Sequence, residues 1–364
     1  MNTKLGRVAA AVFNHPWYIV PSQLDAIAEL VRFHLEGGRL TRDQIDARLA
    51  LAAEDAGPRL QAARPRLSST LGSVAVIPIY GTIFPRANLM TDYSGGATVS
   101  GIRSAFREAM SDETVGSILF DVDSPGGYTD GIEELAAEIR DARGQKPMVA
   151  IANYTMASAA YYLGCQADEV VASPSSQVGW IGTVMVLQEF SKMDEAAGVT
   201  TTILRDPPGK YGGNEYEPLS DQARTELQQL VDDSSAQFHT AVAKARGLSV
   251  AKVRSDYGQG GGMSAARAKA AGLVDRVDTF DATVRRLATG KGPASRTSAI
   301  AAVGGRVIGA GPVLVGESGP EQFSELVLDP PTEPTPDPDP DPTPPVDRSK
   351  EAAAALALAR ARIR

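Results

Sequence analysis

Three short stretches of the chain combine residue types that can do chemistry. Asp121-Val-Asp-Ser-Pro-Gly-Gly127 directly follows an apolar, β-branched run. A Ser-Pro-Gly-Gly turn at a strand end can aim consecutive backbone N–H groups at one point, as an oxyanion hole requires. Pro-Gly serves an ordinary β-turn equally well. In Asn153–Gly164 a strand gives way to a helix rich in small residues, with Ser158 near its first turn. A hydroxyl there faces the crevice beyond the strand ends where open α/β sheets bind ligands; close helix packing is the plainer use of a small residue. Pro207–Asn214 is a Gly/Pro loop carrying Lys210, and most loop lysines are solvated charges.

A serine nucleophile needs a base. His15 and His34 lie far upstream, and the first histidine after Ser158 is His239, late in a long helical stretch, so the spacing disfavours a Ser-His-Asp triad. A lysine can serve where burial strips its charge, at a desolvation cost of about 4 kcal/mol. Residue types alone therefore allow Ser158 with Lys210 without requiring it.

The elements that must position these residues follow from the hydrophobic patterning. Apolar runs at Val74–Ile79, Ser117–Val122, Met148–Ala152, Glu169–Ala172 and Thr200–Leu204 read as strands. Helical patterns lie between them at Val99–Met110, Thr129–Ala142, Met156–Gly164 and Leu187–Gly198, with Pro218–Arg246 and Ser264–Gly272 beyond. Alternation of this kind predicts right-handed βαβ crossovers and a mainly parallel sheet. Residues 1–72 read as a helical extension and linker, with helices after Pro21-Ser22 and after Thr41. The α/β body spans 73–287. Residues 288–347 form a Gly/Ala-rich and then Pro/Asp-rich linker, whose alternating proline and acid favour an extended spacer. Residues 348–364 read as a short basic helix.

Composition removes several function classes. Of 364 residues, 43% are hydrophobic and 22% charged, ordinary for a globular protein. The net charge of −8 lacks the basic footprint of a nucleic-acid binder. One cysteine, Cys165, excludes an internal disulfide, and three scattered histidines argue against a metal centre. The apolar run Val8–Phe13 is too short for a secretory signal, and no stretch approaches the ~20 apolar residues of a membrane span. A soluble protein without a membrane anchor, in a reducing cytoplasm, is the expectation.

Taken together, the stretches resemble the signal peptide peptidase A family of serine peptidases. The matching segments are DVDSPGG (121–127), MASAAYYLG (156–164), ASPSSQVGWIGTV (172–184), KYGGNEY (210–216) and AGLVD (271–275), in the family's order. The resemblance implies a Clp protease/crotonase-like fold and a Ser-Lys dyad. Ser158 then corresponds to the nucleophile and Lys210 to the general base, with oxyanion donors at Gly127 and Ala159. Gly126 and Trp180 would line the dyad's surroundings, and Trp180 stands where the family commonly has serine. No cofactor or metal is implied, and a homo-oligomer is. Asn14–Pro21 and Asn214–Ser220 are more similar to the phage branch, the lambda-type prohead proteases that cut scaffold, portal or themselves during capsid maturation in the host cytoplasm. A crotonase-like acyl-CoA enzyme and an inactive capsid or scaffold component are the rival readings. The acidic Pro-rich tail should act as a tether and not as part of the enzyme. Truncation after Asp329 is expected to leave peptide hydrolysis and melting temperature unchanged while reducing incorporation into proheads.

Overall fold

Short β-branched runs become strands here because both faces of the sheet they form are covered, and such strands need no polar alternation. In the computed structural model, which describes residues 12–13, 15–35, 69–71, 73–87 and 96–293, the elements begin with strand β1 (Trp17–Ile19) and helix α1 (Pro21–Leu35). Then come β2 (Ser69–Leu71), β3 (Val74–Tyr80), α2 (Val99–Ser111), β4 (Ser117–Ser124), β5 (Gly126–Tyr128) and α3 (Ile132–Asp141). The centre of the chain supplies β6 (Met148–Ala157), α4 (Ala159–Gly164), β7 (Glu169–Ala172), β8 (Gln177–Gly179) and α5 (Ser191–Ala196). The body closes with α6 (Asp221–Arg246), α7 (Val250–Asp256), β9 (Gly262–Ser264), α8 (Ala265–Ala271), β10 (Arg276–Val277) and α9 (Phe280–Ala288). Every described residue falls within one compact unit, which ends by residue 306. The helix expected after Thr41, most of the linker before Ser73, the tail beyond 293 and the terminal basic helix lie outside the described residues.

The main sheet runs β10-β7-β6-β4-β3-β2, parallel throughout except for the antiparallel β2 edge. This is the α/β class expected. Alternate residues divide between two apolar layers. Ile77, Ile118, Phe120, Ala150 and Val170 face the layer that includes residues of α2, α3, α4 and α6, while Val76, Leu119, Val149, Ile151 and Val171 face Leu287 of α9. Strand β6 serves two neighbours. Val149–Ala152 pair with β7, and Thr155–Ala157 pair with β8, which continues antiparallel into β9.

Three expectations change. Met156 and Ala157 belong to β6, so the helix begins only at Ala159. Thr200–Leu204 pairs with no strand; Leu204 is 93% exposed, and a strand without a partner has nothing to hydrogen-bond its backbone. Residues 17–19, read as part of a helical extension, instead form β1, which enters the body between β5 and Val184.

Helix α6 is capped by Ser220, whose side chain accepts from Ala223 N–H, and ends at Gly247 in the left-handed conformation. At that end Arg246, almost fully buried, donates to the Gly272 carbonyl and to both oxygens of Asp275; Asp275 also accepts from Val170 N–H at 2.8 Å. This ties α6 to β7 and so to the sheet. Arg246→Met is therefore expected to lower the unfolding free energy by about 2–3 kcal/mol, because Asp275 and the Gly272 carbonyl lose a charged donor, as a urea unfolding curve would show.

Candidate active site

Strands β4 and β6 are parallel neighbours, with Ser124 opposite Met156, so the Pro125-Gly-Gly turn and Ser158 emerge side by side at their carboxyl ends. Ser158 links β6 to α4 with φ 51° and ψ −118°, a sparsely populated conformation for a residue with a Cβ. Its N–H donates to the Gly179 carbonyl of β8 at 2.8 Å, and its carbonyl accepts the Tyr162 N–H that starts the helix. Held from both sides, the serine sits on a sharp strand-to-helix turn, the geometry that nucleophile elbows use. Its Oγ is buried and has no hydrogen-bond partner among the described residues. A buried hydroxyl left unpaired costs about 1–3 kcal/mol, so the position is one where folding alone would favour alanine.

The Ser-Pro-Gly-Gly turn is braced from beneath. Ser124 Oγ donates to the Gly81 carbonyl at 2.7 Å and accepts from Gly126 N–H at 3.2 Å. Gly126 has φ 102°, and a Cβ there would fall 2.1 Å from the Tyr18 carbonyl oxygen and 2.9 Å from Ser158 Cβ. A Cβ on Gly127 would fall 2.0 Å from the Ile83 carbonyl oxygen. Both glycines are required by close approach, Gly126 by its backbone conformation as well.

Of the expected oxyanion donors, Ala159 is the first residue of α4, and its N–H lacks an intrahelical acceptor. Gly127 lies in β5. Its strand pairs with β1 in the register Tyr18–Gly127, and Val20 N–H donates to the Pro125 carbonyl. Alternation along an antiparallel pair then makes Tyr18–Gly127 the next hydrogen-bonded pair, so the Tyr18 carbonyl faces the Gly127 N–H.

No hydrogen bond joins Lys210 to the Ser158 hydroxyl among the described residues. Lys210 is exposed, on a turn closed by its N–H to the Pro207 carbonyl, and it lines an open cleft of about 450 Å³ with Ile203, Leu204, Arg205, Asp206 and Tyr211. Asn214 pins this loop: its side chain donates to the Tyr211 carbonyl and to Glu217, which also pairs with Arg205, and accepts from Tyr216 N–H. Trp180, at φ 52°, lays its ring over Gly262, where a Cβ would meet it at 2.2 Å, and is not among the residues lining the Lys210 cleft. His239 lies elsewhere, in a cleft of about 270 Å³ beside Ile181–Thr183; its Nδ1 lies 2.6 Å from the Ser235 carbonyl, and burial pushes its pKa down. Sequence reasoning missed Tyr18 and Ser124. The repeated aromatics of Trp17-Tyr18 beside Pro16 and Pro21 were the only available sign of the former.

A mainly parallel α/β body here sets two of the motif stretches, 121–127 and 156–164, at adjacent strand ends. Residues 140–293 match the model described as peptidase family S49. It is 29% identical over 311 residues to the capsid assembly protease C of Escherichia phage lambda, covering 79% of this chain and 69% of that protein. It is 31% identical to the head-tail preconnector protein GP5 of Enterobacteria phage P21, over 69% of this chain and 51% of the relative. Protease 4 of Salmonella typhi is 31% identical over 61% of this chain and 35% of its own length. The chain thus spans about two thirds of the first of these relatives and about half of the second. Among solved structures an enoyl-CoA hydratase from Shewanella pealeana aligns with 62% of this chain and 72% of its own at 10% identity and a TM-score of 0.36, too low a likeness to carry an argument. Among the described residues no helix is long and apolar enough to cross a membrane.

The tight fit of the Gly-Gly strip generates a direct expectation. Gly127→Ala should lower the melting temperature by several degrees, since its methyl meets the Ile83 carbonyl at 2.0 Å, whereas Gly198→Ala, with open space around its Cβ, should cost only the milder strain of a positive φ. A thermal scan of the two variants checks this.

Proposed function

We propose that the protein is a Ser-Lys endopeptidase of phage head maturation, acting on scaffold, portal or capsid proteins, its own chain included, inside assembling proheads in the host cytoplasm. The observation that carries the reading is Ser158: a buried, unpartnered hydroxyl on a backbone turn of positive φ, beside the Gly-Gly strip. Ser158 Oγ attacks the scissile carbonyl and passes its proton to Lys210. The oxyanion is held by the N–H groups of Gly127 and Ala159, each such donor being worth about 10²–10³ in rate. The leaving amine takes a proton, and water hydrolyses the acyl-enzyme by the same route. This chemistry calls for no metal or organic cofactor.

The exposed placement of Lys210 adds a condition. A lysine works as a base only where burial strips its charge. Met193, Val199, Leu204 and Tyr211 form a run of exposed large apolar side chains along the segment that carries Lys210. Of these, Leu204 and Tyr211 line one cleft with Lys210, and exposed apolar side chains gathered there suit an interaction surface. We therefore assign this segment to a contact between copies in a homo-oligomer, where Lys210 completes the site of a neighbouring subunit.

Three experiments test the reading. Ser158→Ala should abolish hydrolysis and labelling by a fluorophosphonate while holding or raising the melting temperature, because it removes an unpaired buried hydroxyl. Lys210→Ala should abolish hydrolysis with the fold unchanged. Mixing the two inactive proteins under conditions of subunit exchange should restore turnover; two inactive singles that never complement would place both residues in one subunit. A Lys210→Ala protein with near-wild-type turnover would remove the dyad, and a chain that hydrolyses nothing would return the protein to a structural role in the capsid.

A further inference from the structure

Strand β1 lies in an unusual place for an N-terminal strand. One edge pairs with the Gly-Gly strip; on the other, Trp17 exchanges both backbone hydrogen bonds with Val184, at 2.8 and 3.0 Å. A three-residue segment is thus bonded on both sides, between the two chain segments that flank Ser158. A point beside Gly126 lies 2.1 Å from the Tyr18 carbonyl oxygen and 2.9 Å from Ser158 Cβ, so the Tyr18 carbonyl and the serine converge on one spot. That same carbonyl faces the Gly127 N–H.

The Tyr18 side chain leaves this backbone for a formed pocket. Its ring centroid is 4.9 Å from Phe238 and 5.7 Å from Tyr162, which are stacked on each other at 4.6 Å. Tyr162 lies one helical turn beyond Ser158, on the same helix. At the far end the phenol donates to the Ser234 carbonyl at 2.7 Å, so the pocket fits a ring with a terminal hydroxyl. Burial and the nearby Glu133 charge push the phenol's pKa well up, keeping it a neutral donor.

An extended backbone paired on both edges, a carbonyl at an oxyanion donor and a side chain in a pocket beside the nucleophile are what a bound peptide substrate presents. We propose that the slot filled by Trp17–Ile19 is the peptide-binding cleft of the enzyme, that its pocket selects an aromatic, preferentially phenolic, residue just before the bond to be cut, and that β1 is a resident occupant which substrate displaces. The inference rests on Ser158 as the nucleophile of the peptidase reading, and it explains why that hydroxyl is covered.

The test uses the full chain with Tyr18→Ala and the less disruptive Tyr18→Leu, each qualified by a melting curve. The probes are fluorescent tetrapeptides, Trp-Tyr-Ile-Val and Trp-Ala-Ile-Val, and a fluorophosphonate. Emptying the pocket should speed Ser158 labelling about tenfold or more over wild type, as the open form becomes populated. Anisotropy should show the tyrosine peptide binding the variants about tenfold more tightly than the alanine peptide, the ratio expected for filling one aromatic pocket. Release from wild type, but not from Ser158→Ala, of an N-terminal fragment ending at Tyr18 would support the same placement. Unchanged labelling in a folded variant, or equal binding of the two peptides, overturns the cleft assignment while leaving the peptidase standing. Selective peptide binding without any labelling or hydrolysis overturns the nucleophile and keeps the cleft.

Discussion

The backbone of Ser158 is the constraint on which the rest of the molecule depends. A serine at φ 51° and ψ −118° does not adopt that conformation unaided, and a departure of this kind costs about 1–3 kcal/mol. The Gly179 carbonyl holds its N–H from β8, and helix α4 begins immediately behind it. Arg143 supports that helix from its other end, donating to the Cys165, Gln166 and Ala167 carbonyls. The doubled pairing of β6, first with β7 and then with β8, follows from the same need: β7 ends at Ala172, and β8 takes up the edge where the turn must be held.

Much of this was legible in the sequence, and what was not has a physical reason. The buried strands announced themselves because two-sided burial leaves uninterrupted apolar runs such as Ile118–Phe120 and Met148–Ala152. The place of Ser158 followed from a strand pattern changing into small helix formers, and the Gly-Gly strip from its turn residues. Thr200–Leu204 misled, since β-branched residues fit a strand but cannot supply the partner edge. Strand β1 was invisible for the opposite reason. Three residues carry no periodicity, and their pairing with positions 126–128 and 184 is set by tertiary contact alone. The relation of Lys210 to Ser158 could not be read from spacing, because a single chain leaves it exposed.

The two halves of the site differ in kind. Ser158, Gly126, Ser124 and Tyr162 are all buried, with neighbours on several elements. Lys210 stands on a loop secured chiefly by Asn214, Glu217 and Arg205 at its own base. A serine held in the core and a lysine on a loosely footed loop suit the proposed completion of the site by a neighbouring subunit, in which only the loop has to wait for a partner.

The position of β1 also bears on how the molecule comes into being. Residues 17–19 leave the ribosome well before the segments they close against, positions 126–128, Val184 and finally Phe238. Contacts so distant along the chain form late and slowly. While synthesis proceeds through α6, the crevice at the strand ends has no filled floor, and the nascent protein has no finished catalytic centre. The strand made before its partners is thus among the last to dock, and the crevice beside Ser158 stays unfilled for most of the molecule's synthesis.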